Sequence, residues 1–207
     1  MKYFALFALF TLFSCSNKED ILLPKSNITI VKEVNDLSPI YIFFRTKQKD
    51  TIAEVNRKNS IISTNWILNI DKRLPLRLVI PEIIKLQQKK REEKAHKNEK
   101  AENYYSYADT ISKNLAFIAF TNVYYKMEKP KGNIVYFDSK SEITLNNVQI
   151  KKDELKKYLV GLKEEQLNPF VFCFSENLSY GSYIQSKIFI ESIIPSLPNL
   201  EFNEFVF

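Results

Sequence analysis

The sequence predicts an α+β protein, and three observations carry that expectation. Strand-length runs of β-branched and aromatic residues recur along the chain, from Ile40–Phe44 to the closing Leu200–Phe207. Two stretches of the second half, Asp153–Gln166 and Leu178–Leu197, place apolar residues at helical spacing. An apolar content of 45%, with 14% aromatic, supplies a packed core for both kinds of element. The pattern breaks at Lys129-Pro-Lys-Gly132, which divides the chain into an N-terminal α+β unit over 36–129 and a second unit over 133–207.

The first residues read as a targeting segment. Lys2 precedes an apolar run from Tyr3 to Phe13, the order of a secretory signal. That run is about half of the roughly 20 residues a membrane-spanning helix needs. Leu12-Phe13-Ser14-Cys15 resembles the lipobox of bacterial lipoproteins, with an aliphatic residue three before Cys and a small one just before it. The resemblance implies removal of residues 1–14, a diacylglycerol thioether on Cys15, and a lipidated tether over 15–35. Each buried methylene contributes about 0.8 kcal/mol, so two or three acyl chains anchor a protein durably. Lys18-Glu19-Asp20 resembles the surface-export signal of Bacteroidota lipoproteins; a plain solvated tether is the other reading. The expected location is the outer membrane, with the periplasmic and cell-surface faces both open.

Beyond the tether, Ile28–Val31 is a first strand candidate, and Ile40–Phe44 a second. Ile61–Ile70 follows as a strand carrying Trp66, the single tryptophan. Pro81 suits the first turn of a helix, because its missing N–H has no helical partner there. Ile80, Ile83, Ile84 and Leu86 form its inward stripe. Between Lys85 and Lys100 the chain holds seven basic and three acidic residues, with no large apolar residue from Gln87 to Asn103. This reads as a long charged helix projecting into solvent, held by pairs such as Glu93–Lys97, or as a charged loop. Its Lys89, Lys90, Arg91, Lys94 and Lys97 are candidate contacts for headgroups or wall polymer. Tyr104, Tyr105 and Tyr107 either cap a core or form an aromatic binding surface beside them. Leu115–Met127 is one long apolar strand.

The second unit is more regular. Asn133–Phe137 is a strand, and Glu142–Ile150 a hairpin turning at Asn146-Asn147, residues that accept positive φ. In Asp153–Gln166 the residues Leu155, Tyr158, Leu159 and Leu162 share one helical face, and Asp153 and Glu154 favour the helix dipole at its start. Phe170–Phe174 is a buried strand with Phe170, Phe172 and Phe174 on one side and Val171 and Cys173 on the other. A second amphipathic helix ends near Pro195, and a last strand closes the chain.

The order strand, hairpin, helix, strand, helix, strand over 133–207, carried by "ITLNNVQIKKDELKKYL" and "FVFCFSENLSYGSYIQSKIFIESI" with its Tyr180-Gly181 pair, resembles the periplasmic domain of the ExbD/TolR family of biopolymer transport proteins. The resemblance implies the fold, contact with envelope proteins or peptidoglycan, and homodimerisation. The family's N-terminal transmembrane helix with its proton-carrying Asp has no counterpart among these residues, so motor activity is not implied. The first unit resembles a diverged copy: Ile67–Ile70, a helix and Leu115–Phe120 parallel Ile143–Asn146, a helix and Phe170–Phe174, with a second helix lacking in the first unit.

Nothing in the sequence assembles a catalyst. His96, the single histidine, sits in the charged run, away from any desolvated site a general base requires. Zinc-ligand spacing is absent. The three glycines form no phosphate-binding loop. Cys173, between two phenylalanines, reads as an inert buried thiol. The acid pairs Glu92-Glu93 and Glu164-Glu165 lie on polar helix faces. With Cys15 acylated, Cys173 has no intramolecular disulfide partner. Removal of Lys2 lowers the formal charge of +6 by one. Export makes lipid headgroups and wall polymers, not nucleic acid, the polyanions such a basic chain meets. The expectation is therefore a non-enzymatic, lipid-anchored scaffold or partner-binding module without cofactor or metal. A peptidoglycan- or glycan-binding surface lipoprotein is the alternative.

Overall fold

The computed structural model describes residues 20–95, 97–161, 170–193 and 203–207. The leader, Cys15, His96, Glu164-Glu165, Pro195 and the predicted end of the 153–166 helix lie outside them. The chain is α+β, with 24% helix and 38% strand in two mixed sheets. The first sheet holds β1 (Lys25–Ser26), β2 (Leu37–Lys47), β3 (Asp50–Asn56), β4 (Asn65–Ile70), β5 (Asn103–Asp109) and β6 (Leu115–Ala119). Its order is β1-β5-β4-β2-β3, with β6 also paired to β5. Helix α1 (Leu76–Glu92) connects β4 to β5. The second sheet is ordered β10-β9-β8-β11-β12-β7. Its strands are β7 (Tyr124–Lys126), β8 (Asn133–Phe137), β9 (Ile143–Leu145), β10 (Val148–Ile150), β11 (Phe170–Phe174) and β12 (Asn203–Val206), with α2 (Lys152–Val160) and α3 (Tyr180–Ile193) between them. The second unit thus has the element order read from its sequence.

Several expectations need correction. Ile28–Val31 is no strand: Val31 alone bridges Phe117, while the Tyr107 hydroxyl accepts from Ile30 N and donates to Ile28 O, taking over the backbone bonds of a ladder. The strand expected from Ile61 begins at Asn65, because Ile61 O accepts from Thr64 N, Thr64 Oγ1 and Trp66 Nε1 and closes a turn. Helix α1 starts at Leu76, which puts Pro81 inside it, and stops at Glu92. Residues 93–95 and 97–102 form no helix or strand, and Lys97 pairs with Glu99 at 2.9 Å rather than with Glu93. The single strand expected over Leu115–Met127 is two, because Val123 N bonds Phe120 O in a turn that carries the chain from the first sheet to the second. The crossing therefore lies before the Lys129–Gly132 break.

The two units are related more closely than their sequences suggest, and by a different alignment. In each, four strands pair in the same order, an antiparallel hairpin partner followed by three parallel strands: β3-β2-β4-β5 and β9-β8-β11-β12. The registers match, since Ile40 faces Leu68 and Ile42 faces Ile70, as Val135 faces Phe172 and Phe137 faces Phe174. Asp71 N donates to Ile42 O as Ser175 N donates to Phe137 O. Helix α1 is thus the counterpart of α3, and α2 is the element that the first unit lacks. The apolar runs at 67–70 and 143–146 look alike without being equivalent, since both are short and neither periodicity nor length separates them.

The pseudo-twofold axis passes between the turns that start α1 and α3, where Pro75 and Ser179 form a bridge. Tyr180 N donates to Leu74 O at 2.7 Å and Leu76 N to Leu178 O at 3.0 Å. Gly181 N reaches Lys72 O at 2.9 Å and Arg77 N reaches Glu176 O at 2.8 Å. Each helix thus has its first N–H groups, which lack intrahelical partners, satisfied by the other unit's turn. Gly181 permits this approach: a Cβ there would lie 3.1 Å from Lys72 Cβ.

One apolar core spans both units. It joins Ile40, Ile42, Trp66, Leu68 and Ile70 of the first sheet to Val135, Phe137, Phe170, Phe172 and Phe174 of the second. Helix α3 contacts both sheets, through Tyr105 against Tyr180 and Tyr183 and through Phe174 against Tyr183. It buries Ser186 and Lys187 along with its apolar residues, so the amphipathic helix expected here is enclosed on most sides. The outer sheet faces carry smaller clusters, Val34, Ile67 and Phe117 on one and Val171, Cys173 and Phe205 on the other.

Candidate functional site

The basic residues singled out from the sequence are split by the fold. The buried stripe of α1 runs Leu76, Val79, Ile80, Ile83, Leu86, Gln87 and Lys90, a helical spacing that continues into the polar half. Gln87 Nε2 donates to Phe120 O and Val123 O, both at 3.1 Å, holding the turn that links the sheets. Lys90 is buried, so its expected role as a surface contact is incorrect. Its ammonium donates to Thr64 O, Glu102 O and Asn103 Oδ1 at 2.9–3.0 Å and lies 5.0 Å from the Trp66 ring centroid. Burial pushes this amine down to about 8, but its three acceptors use all three N–H groups of the protonated form.

Lys89, Arg91, Lys94 and Lys97 are exposed. Arg91 rests over Tyr124 and donates to Thr121 O at 3.1 Å. Lys85, Gln88, Lys89, Glu92 and Glu93 line an open depression of about 360 Å³. Its carboxylates, the Lys85–Glu82 pair and the Gln88–Glu92 bond make it a mixed-charge face, not a uniformly cationic one.

The three tyrosines do not form one surface. Successive residues of a strand point to opposite sides. Tyr104 is half-buried on the outer face, where it donates to the Glu102 carboxylate. Burial, reinforced by that carboxylate, pushes its phenol up to about 12. Tyr105 and Tyr107 point inward and are fully buried. The aromatic binding surface expected from Tyr104, Tyr105 and Tyr107 is therefore absent.

Instead, Tyr105 enters a buried polar chain that spans both units. Its ring stacks on Phe120 at 3.8 Å, and its hydroxyl lies 2.5 Å from that of Tyr125. Tyr125 meets Tyr183 at 3.1 Å, and Tyr183 donates to Glu204 Oε2 at 2.6 Å. Lys187 Nζ closes the chain on Glu204 Oε1 at 2.5 Å, with Glu191 at 3.9 Å. Burial holds the phenols of Tyr105, Tyr125 and Tyr183 well above their ordinary range, so they stay neutral. The chain locks α3 to β12, β7 and β5. Sequence reasoning missed it because its members lie on four elements; the one local sign was Lys187 at helical spacing from Tyr183, Ile184 and Ile190.

Cys173 is fully buried, and burial pushes its thiol up to about 12. A thiol so protonated is a poor nucleophile. Among the described residues, no group of three or more His, Cys, Asp or Glu is placed to hold a metal ion. None of the described helices is long and apolar enough to cross a membrane.

The segment entering the domain is held firmly. Leu22 N donates to Asp71 Oδ2 at 3.2 Å, and Leu22 O accepts from Lys72 N at 2.7 Å. Lys25 and Ser26 then pair with Ala108 and Asp109, so residues 22–29 cross the carboxyl ends of β4 and β5. Asp109 accepts from Thr29, Ile111 N and Ser112 and is held down to about 2 by these bonds. Comparison of the chain with protein-family models, curated proteins and solved structures finds no match.

Proposed function

We propose that this chain is a non-enzymatic, lipid-anchored envelope protein of the outer membrane, a scaffold that binds partner proteins. The observation that carries the reading is Leu12-Phe13-Ser14-Cys15 at the end of a short apolar run, five residues before the described domain begins at Asp20. The interior supports a scaffold role: Lys90, Lys187 and Glu204 are engaged in internal bonds, and Cys173 is sealed. The element order of 133–207 supports kinship with ExbD/TolR periplasmic domains. The pseudo-twofold pairing of two units in one chain parallels the homodimers those domains form. Partner peptides add as strands to β3 or β10, each paired on one side only in its sheet.

The test is intact-mass analysis of the membrane-extracted protein. Loss of residues 1–14 with diacylglycerol on Cys15, abolished by Cys15→Ala, is expected. A retained leader or a bare thiol overturns the reading. Cross-linking in cells is expected to recover envelope transport components, and protease shaving distinguishes the two membrane faces. The glycan-binding alternative draws on exposed Lys89, Arg91, Lys94 and Lys97. It requires co-sedimentation with peptidoglycan that is lost when these become Gln.

A further inference from the structure

The end of the domain that receives the tether carries exposed apolar side chains among lysines. Leu22 is 45% exposed, Ile28 46% and Ile111 72%, the last being the most exposed large apolar side chain among the described residues. The backbone strings them together. Pro24 O accepts from Ala108 N, Ser26 O from Thr110 N, and Ile28 O from the Tyr107 hydroxyl. Ile28 and the Asp109–Asn114 turn with Ile111 at its tip therefore sit side by side. Lys25 and Lys113 are exposed on the same rim. The nearest carboxylates, Asp71 and Asp109, are turned inward onto Arg73 and onto the turn's own donors. Among the described residues from Asp20 to Thr29, Asp20 is the one exposed acid.

Chain length decides what meets this rim. Leu22 lies seven residue steps after Cys15, a reach of at most about 25 Å. A domain of this size is about 40 Å across. The tether is therefore shorter than the body it holds, and it enters at the rim. Single exposed apolar residues are ordinary. Three of them beside two lysines, at the point where the anchor attaches, match an interface whose headgroups are anionic and whose interior is hydrocarbon.

We propose that the rim of Leu22, Lys25, Ile28, Ile111 and Lys113 rests on the anionic surface of the bilayer that holds Cys15, with Ile111 dipping below the headgroups. The proposal depends on the reading of Cys15 as a lipid anchor.

The experiment uses full-length lipoprotein in vesicles containing phosphatidylglycerol. Ile111→Cys is labelled with an environment-sensitive fluorophore, with Val148→Cys on β10, 69% exposed, as the reference. Acylated Cys15 and sealed Cys173 leave the introduced thiol as the reactive one. Doxyl-labelled lipids are expected to quench the label at 111 at least twofold more than at 148. Lys25→Glu with Lys113→Glu is expected to reduce that difference. If the protein floats with the vesicles but 111 and 148 are quenched equally, the rim proposal falls and the anchor stands. If it fails to float, yet added vesicles still quench 111 selectively, the anchor reading falls and the rim contact stands.

Discussion

Replacing Glu204 by Gln tests the buried polar chain that joins the two units. The substitution keeps shape and an acceptor for the Tyr183 hydroxyl but leaves the Lys187 ammonium, its side chain 4% exposed, without its partner at 2.5 Å. Breaking a buried ion pair from one side costs about 3–5 kcal/mol. Glu191 lies 3.9 Å from Lys187 and is itself partly exposed, so it compensates in part and places the loss near the low end. With a urea slope of about 2 kcal/mol per M, a loss of about 3 kcal/mol moves the midpoint down by about 1.5 M. The assay is urea unfolding of the Cys15→Ser chain, followed by far-ultraviolet circular dichroism and by the fluorescence of Trp66. The double variant Lys187→Met with Glu204→Gln leaves no unpaired charge of this pair and is expected to recover at least half of the shift. A midpoint change below about 0.5 M for Glu204→Gln, or a double variant less stable than the single one, refutes the argument.

Lys90→Met removes the donor to three buried acceptors and is expected to cost about 2–4 kcal/mol in the same assay. Lys89→Met, one residue away on the exposed face, is expected to cost under about 0.5 kcal/mol; equal effects would contradict the buried placement. Asp109, held down to about 2 from an ordinary carboxylate value of 3.8, contributes stability that is present above pH 4 and is lost as the pH falls toward 2. The melting temperature of Asp109→Asn is accordingly expected to fall less between pH 4 and pH 2 than that of the unaltered chain. Gly181→Val forces a Cβ to 3.1 Å from Lys72 Cβ at the pseudo-twofold turn and is expected to destabilise by about 1–3 kcal/mol, measured calorimetrically. A neutral result there would show that the two turns have slack.

The second unit was the more legible half because its signals are local. The Asn146-Asn147 turn, with φ of 49° and 69°, and the alternation of Phe170, Phe172 and Phe174 against Val171 and Cys173 depend on neighbours in sequence. The first unit was harder to read. β3, "DTIAEVN", alternates too weakly to announce a strand and forms because β2 offers it an edge. The fate of Lys90 was unreadable from charge alone: a lysine among lysines is buried only because Thr64, Glu102 and Asn103 converge on it from other elements. Continuing the stripe from Leu86 by four residues would have pointed to Lys90, whereas counting apolar residues ended that stripe too early.

By itself the sequence determined the fold class and the element order of the described part of residues 133–207, because each follows from short-range periodicity. The tertiary structure decided that α1 matches α3, that Tyr105 and Tyr107 are interior, and that one core and one polar chain unite the halves. Those outcomes depend on pairing energies between segments distant in the chain. Local spacing fixes which side of an element is apolar, but only the partner across the interface fixes which polar groups are buried with it.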